Sequence, residues 1–381
     1  MFGFGKKRFL GIDIGSSSIK IAELVVKKNK PTLSNYAVVK IESLKQGSDG
    51  ITFNENLAGY LKKIIDKGKF TKKNVYVSIP SFAGLITLIE YPAMPLDELG
   101  QSIEYEAQKY VPLPLSEVSF AWDVVGESVT DQTELKQADQ LEKKDTTPAG
   151  KKLQVLLAAA PKKNIEKYQN LMNQAGLSLN AIEIESFSLV RCLVGKDPGK
   201  FVIVDIGARV CNIILVENGE IKINRNIDAG GSYITKEIAQ NMNINEERAE
   251  IIKVSGEDIL GSQSNLSLST FGIIANEVKR VLLAYYKDVK NISLNGIILA
   301  GGSANILNID IYFSQAFGMK ALIGDPLSRV ECDENIKHKI GEIRARLAVS
   351  IGLALKGIDS KKVAPKNKFL NIKIFNSKPA I

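Results

Sequence analysis

The chain opens on a continuous apolar run, Phe9-Leu10-Gly11-Ile12-Asp13-Ile14-Gly15. A run without polar alternation predicts a strand buried on both faces. A short polar turn and two strand-like runs follow, at 19–26 and 33–41. The same order returns at 201–207, Phe-Val-Ile-Val-Asp-Ile-Gly, 192 residues on, with strand-like runs at 212–216 and 220–224. Each half is therefore expected to open with a β-meander whose first turn carries an aspartate and a glycine. Residues 57–66 read as an amphipathic helix with Leu57, Leu61, Ile64 and Ile65 on one face. Strands are expected at 75–79 and 85–90. A helix then runs through Leu96, Leu99, Ile103, Ala107 and Tyr110 until Pro112 and Pro114 end it. Two more strands, at 120–125 and 153–159, enclose a polar, doubly charged stretch at 126–152 that reads as a mobile loop. Further helices are expected at 271–287 and 341–357, the second with Ile343, Leu347, Ile351 and Leu355 along one stripe. Beyond Pro365, the alternation at 369–375 predicts a short strand that could add to a sheet edge.

The duplicated turn has specific chemistry. Gly15 permits backbone torsions that a Cβ would forbid and lets a bulky anion approach. The amides of Ser16, Ser17 and Ser18 can form a small anion-binding nest, and their hydroxyls add donors. Asp13 at the strand end suits a hydrated Mg²⁺, which keeps most of its waters. Asp-Ile-Gly could also mark an ordinary tight turn. Two copies in one strand context, half a chain apart, favour the phosphate reading, with the turns facing each other across a triphosphate.

Composition narrows the field. Among 381 residues there is one histidine, His338, so a His-based metal site or triad has almost no raw material. Cys192, Cys211 and Cys332 are scattered and argue against a disulfide framework. No run of eighteen apolar residues predicts a membrane span, and the first eight residues do not make a signal peptide. The net charge of +8 sits at the ends: Lys6, Lys7 and Arg8 at the start, and six lysines without an acid after Asp359. The body is close to neutral, which counts against nucleic acid as its ligand. The basic ends fit either attraction to an anionic membrane surface or plain solvation.

These residues resemble the phosphate loops of the actin-like ATPase superfamily, which includes actin, sugar kinases, heat-shock chaperones and the cell-division protein FtsA. Within it, the chain is most similar to the PilM family of type IV pilus assembly proteins, from about residue 9 to 357. The first phosphate motif is 9–20. Residues 74–80, 91–94 and 104–114 look like the inserted subdomain, 184–189 like the connecting motif, and 297–305 like the adenosine motif.

The resemblance implies an α/β fold, actin-like (ribonuclease H-like), in two halves with an αβ subdomain inserted in the first. The implied boundaries are 1–70 for the first phosphate-binding part, 71–160 for the insertion and 161–200 for completion of the first half. In the second half, 201–227 is the phosphate-binding part, 228–293 the smaller subdomain and 294–357 the completion with its closing helix. A basic tail follows at 358–381.

It further implies ATP and Mg²⁺ as ligands. Asp13 and Asp205 would hold the metal through water, and Glu185 would lie near the metal and the attacking water. Gly15, Ser16, Ser17, Ser18, Lys20 and Gly207 would surround the phosphates. Gly230 and Gly231 would open the smaller subdomain. Glu277 and Arg280, three apart on one helix, would face the nucleoside, or else form a surface ion pair. Gly301, Gly302, Ser303 and Asn305 would carry the adenosine. The expected partner is the cytoplasmic N-terminal tail of a PilN-like membrane protein, at the inner face of the cytoplasmic membrane. Tyr91, Met94, Tyr105 and Tyr110 would line its groove or form the insertion's own core. An FtsA-like filament-forming ATPase of cell division, or a related secretion or competence machine, is the alternative. The second turn departs from the pattern: Ala208-Arg209 stands where the family keeps a hydroxyl, and Asn308 where glycine is common. Slow hydrolysis at most is therefore expected. Arg209 would contact phosphate or solvent.

Overall fold

A computed structural model describes residues 7–41, 46–47, 50–51, 56–129, 151–261, 264, 266–286 and 293–359. The expected loop at 126–152 lies outside them except at its ends, as do the tail after residue 359 and its strand-like run. Among the described residues, no helix is long and apolar enough to cross a membrane.

Two mixed sheets are built to one plan. In the first half, Arg8–Ile14, Ser18–Lys27 and Lys30–Lys40 form an antiparallel meander. Val75–Ile79 adds parallel to the opening strand, and Leu179–Ile184 parallel to that. In the second half, Lys200–Ile206, Cys211–Glu217 and Glu220–Ile227 form the meander, and Gly296–Ala300 and Ala321–Ile323 add in parallel. The parallel strands beside each opening strand are largely apolar, with Ser78 the one polar residue of Val75–Ile79, as burial on both faces requires.

A third, antiparallel sheet is the insertion. Its order is Leu85–Pro92, Lys151–Pro161, Val118–Val129, with the central strand paired on both sides. The helix Leu96–Ala107 covers one face, burying Leu99, Ile103 and Ala107 against Ile89, Val155 and Leu157. Tyr91 and Met94 pack against this small core, whereas Tyr105 is 72% and Tyr110 43% exposed.

Two expected boundaries are corrected. The strand Val75–Ile79, assigned to the insertion at 71–160, belongs to the main first-half sheet. Its five residues are all buried, which fits a central strand and not the rim of a small sheet. The insertion proper begins after Pro80. The closing helix Ala348–Asp359, assigned to the second half, packs instead on the first. There Gly11 matters: a Cβ at this position would stand 1.9 Å from the Ser350 carbonyl oxygen. Only a glycine lets the helix lie that close to the opening strand. The strand Glu331–Cys332 likewise returns to pair with Lys30–Lys40. Residues 331–359 thus strap the second half back onto the first. The expected helix at 341–357 begins as a 3₁₀ segment, Gly341–Leu347, and becomes α-helical only from Ala348.

Candidate functional site

The two Asp-Ile-Gly turns have the same local construction. Gly15 N–H donates to the Ser18 carbonyl at 3.0 Å, and Gly207 N–H to the Val210 carbonyl at 3.1 Å. In each, the aspartate ends its strand opposite a residue of the return strand: Asp13 opposite Lys20, Asp205 opposite Asn212. The turns line opposite walls of one cleft of about 850 Å³.

The cleft gathers most of the residues singled out in the sequence. Asp13, Gly15, Ser16, Ser17, Ser18 and Lys20 line it from the first half. Glu185, at the start of the helix Glu185–Leu193, lines its floor. Asp205, Gly207, Gly231, Gly301, Gly302 and Ser303 line it from the second half. Gly301, at φ +85°, has no room for a side chain: a Cβ would meet the Ile206 carbonyl at 2.4 Å and Asp205 Oδ1 at 2.6 Å. This glycine seats the turn after the Gly296–Ala300 strand directly against the second aspartate.

Four candidates are not among the lining residues. Gly230 packs on the Arg209 backbone, and Asn305 faces solvent. Glu277 accepts from Arg225 at 2.9 Å and from Arg280 at 3.2 Å, with Arg280 largely exposed. The pair that does line the cleft with this spacing is Glu250 and Lys253, on the helix Glu246–Val254. Lys253 Nζ donates to Glu250 Oε2, to Thr235 Oγ1 at 2.7 Å and to the Gly231 carbonyl at 3.0 Å. Both helices carry Glu-x-x-basic, and helical phase alone does not say which borders the cleft. Sequence reasoning also passed over Tyr168, Asn212, Lys40 and Arg346, which line it too. None lies in a motif, and only the tertiary fold brings them there.

The electrostatics divide the carboxylates. Lys20 Nζ donates to Asp13 Oδ2 at 2.8 Å, and Ser78 Oγ lies 3.4 Å from Asp13 Oδ1. Burial works against the Lys20 charge, but Asp13, Asp205 and Glu185 together raise its pKa. Glu185 is pushed well above the ordinary carboxyl range, by burial first and then by Asp205 and Asp13. Asp205 is raised as well by burial, with Lys20 opposing and Asp13 adding to the shift. Burial alone raises the Tyr168 hydroxyl, and Glu185 and Asp13 raise it further. Three carboxyls around one ammonium favour a further cation, whose charge would draw them back to the ionised form.

Two polar atoms at the cleft test the fit of nucleotide and metal. Asn212 Oδ1, an acceptor, and Arg346 Nε, a donor, are buried without a hydrogen-bond partner. A phosphorylated nucleotide with a hydrated cation supplies both complements: cation-bound water donates, and phosphate or ribose oxygen accepts. The residues fit the pair. Arg209 lines the cleft beside Gly207 and also stands 3.5 Å from Asp228 in an exposed ion pair.

Two halves opening on duplicated strand–turn–strand units, a cleft between them and an inserted αβ sheet make this an actin-like ATPase fold. The solved structure of a PilM–PilN type IV pilus biogenesis complex superposes over 92% of this chain and 98% of that one, with a TM-score of 0.73 and 22% identity. The ethanolamine utilization protein EutJ of Carboxydothermus hydrogenoformans shares the fold at a TM-score of 0.50 and 14% identity, over 92% of this chain and 89% of that one. In sequence, the cell division protein FtsA of Streptococcus pneumoniae is 22% identical over 350 residues, 84% of this chain and 75% of its own. The family model for type IV pilus assembly protein PilM matches residues 11–358, and the chain belongs to that family.

Proposed function

We propose that the protein is an ATP- and Mg²⁺-binding assembly factor of the type IV pilus inner-membrane complex, and that its insertion receives the N-terminal segment of a PilN-like membrane protein. The observation that carries the nucleotide reading is the pair of matched turns facing each other across the cleft, Asp13 with Lys20 on one wall and Asp205 on the other. Asp13 and Asp205 would hold Mg²⁺ through its waters. Ser16–Ser18, Gly15 and Gly207 would receive phosphate oxygens, and Lys20 would offset their charge. Glu250, Lys253 and Gly301–Ser303 are better placed than Glu277 and Arg280 to meet the nucleoside. When bound, the metal supplies charge neutralisation at the phosphates.

Glu185 would orient the attacking water, but the second turn offers Ala208 where a hydroxyl would help. Turnover is therefore slow, and the nucleotide acts mainly as a ligand that selects between cleft states. The partner reading rests on the family and on the PilM–PilN complex as a structural neighbour. The exposed Tyr105, Tyr110 and Leu113 supply apolar surface on the insertion for it. Such a partner would hold the protein at the cytoplasmic face of the inner membrane.

Isothermal titration of the full chain tests this, with Mg-ATP and with a peptide from the cytoplasmic N-terminus of the neighbouring PilN-like protein. Micromolar or tighter binding of both is expected, on the order of −8 kcal/mol. Binding of Mg-ATP without the peptide would remove the partner from the reading and leave the cleft's role intact. Turnover of many per second would overturn the slow-hydrolysis part.

A further inference from the structure

Under the cleft floor lies a buried polar cluster of which only Ser186 falls inside a sequence motif, the connecting segment 184–189. Ser81, Ser186 and Asn212 are each 2% exposed or less. Ser81 Oγ and Ser186 Oγ are 2.6 Å apart, and Asn212 Nδ2 donates to both, at 2.8 and 2.9 Å. Ser186 Oγ donates to Asn224 Oδ1 at 2.8 Å. The donor inventory fixes the direction of every bond. The single hydroxyl proton of Ser186 goes to Asn224, so Ser81 must donate to Ser186. Both amide protons of Asn212 are spent on the two serines. No member can turn without leaving a buried group unpaired, which is why such a node moves as one piece.

The four residues belong to three bodies. Asn212 and Asn224 lie on neighbouring strands of the second-half meander. Ser186 is in the first turn of the helix Glu185–Leu193, next to Glu185. Ser81 opens the short 3₁₀ turn Ser81–Ala83 that leads directly into Leu85–Pro92, the first strand of the insertion. The backbone N–H of Ser81 donates to Glu185 Oε1 at 2.9 Å, so the root of the insertion also touches the cleft carboxylate. A second tie runs from the same meander: Lys222 Nζ donates to Gln154 Oε1, on the central strand of the insertion, at 2.9 Å. The second-half meander therefore grips the insertion at its root and on its face.

We propose that the Ser81–Ser186–Asn212–Asn224 node transmits occupancy of the cleft to the insertion, so that movement of the second half on ligand binding reorients the sheet that begins at Leu85. The inference rests on the nucleotide reading of the cleft and adds to it the route by which the insertion responds. Asn212 belongs to both, lining the cleft with one side of its amide and holding the serines with the other.

The test is hydrogen exchange of the full chain with and without saturating Mg-ATP, read at peptides covering 85–92 and 151–161, with binding followed separately by calorimetry. In the wild type, Mg-ATP is expected to slow exchange in both strands. Ser81→Ala and Ser186→Ala, at positions that do not line the cleft, are expected to keep Mg-ATP affinity within about threefold and to lose most of the response in the insertion. Calorimetric binding without any change at 85–92 and 151–161 in the wild type would overturn the node alone. Variants that bind and respond as the wild type does would also overturn it. Absence of Mg-ATP binding by the wild type would instead remove the cleft reading, and the node's role with it. The wild-type comparison decides the matter even if a serine variant fails to fold.

Discussion

The two Asp-Ile-Gly turns share a backbone and differ in chemistry. Each has the same glycine-to-fourth-residue hydrogen bond and the same position in its meander. Opposite the first aspartate stands Lys20, and a buried ion pair results. Opposite the second stands Asn212, an amide committed to the serine node. The first turn is lined by three serines, the second by Ala208, Arg209 and Val210. Two residues earlier in the same strands, Gly11 and Ile203 occupy equivalent places. Gly11 admits the closing helix at backbone contact, whereas Ile203 is itself buried core. A duplicated scaffold can thus place one half's turn to hold charge and the other's to report on position, because backbone hydrogen bonds set the turn and side chains remain free to differ.

The sharpest way to break this comparison is to remove the cation from one side and the amide from the other. Lys20→Met leaves Asp13 buried without its partner and is expected to destabilise the protein by about 3–5 kcal/mol. Asn212→Ala removes neutral hydrogen bonds and is expected to cost about 1–3 kcal/mol. Urea unfolding of both variants without ligand measures the difference; equal costs would mean that the turns are energetically alike.

Next comes the pair at the fourth strand position. Gly11→Ala forces a methyl onto the Ser350 carbonyl and is expected to cost about 3 kcal/mol, whereas Ile203→Val trims a core side chain for about 1 kcal/mol. A shift in denaturation midpoint at constant slope is the readout. A neutral Gly11→Ala would show that the closing helix does not lie against the opening strand.

The smallest effect sharpens the picture of the floor between the turns. Glu185 has a raised pKa, so the folded chain keeps a proton that the unfolded chain releases near 4.5. Its contribution is intact below that value and is lost progressively as pH rises above it. Glu185→Gln should match the wild type near pH 4.5 and exceed it by roughly 2 kcal/mol in mildly alkaline solution without divalent cations. Thermal unfolding across pH in a chelating buffer tests this, and parallel curves for the two proteins would sink it.

A different buried carboxylate shows how context reverses that sign. Glu183, two residues before Glu185, is also buried, which by itself would raise it. Arg191 and Lys356 override burial and hold it at about 2. Lys356 belongs to the closing helix, so this ion cluster pins that helix to the strand that delivers Glu185.

The repeat of Asp-Ile-Gly half a chain apart, the continuous apolar runs and the meander order were legible in the sequence, because burial on both faces of a strand writes itself as unbroken hydrophobicity. So were Asp13, Gly15, Ser16, Ser17, Ser18 and Asp205 as residues of the two turns, whereas Lys20 and Glu185 were singled out by the family resemblance; all eight line the cleft. The helical stripe from Leu99 to Ala107 likewise located the insertion's core, and left open which of its aromatics would stay exposed.

Only the tertiary structure decided the rest. Glu277-x-x-Arg280 and Glu250-x-x-Lys253 have the same helical spacing, and nothing local says which helix faces the cleft. Val75–Ile79 reads equally as insertion or as main sheet until its pairing with the opening strand is known. Asn212, Ser81 and Ser186 are separated by up to 131 residues and meet only because three bodies converge under one carboxylate. Periodicity and turn chemistry are properties of neighbouring residues, so a sequence carries them openly. Which surfaces meet depends on packing between distant segments, and that is settled when the closing helix returns to strap the two halves together.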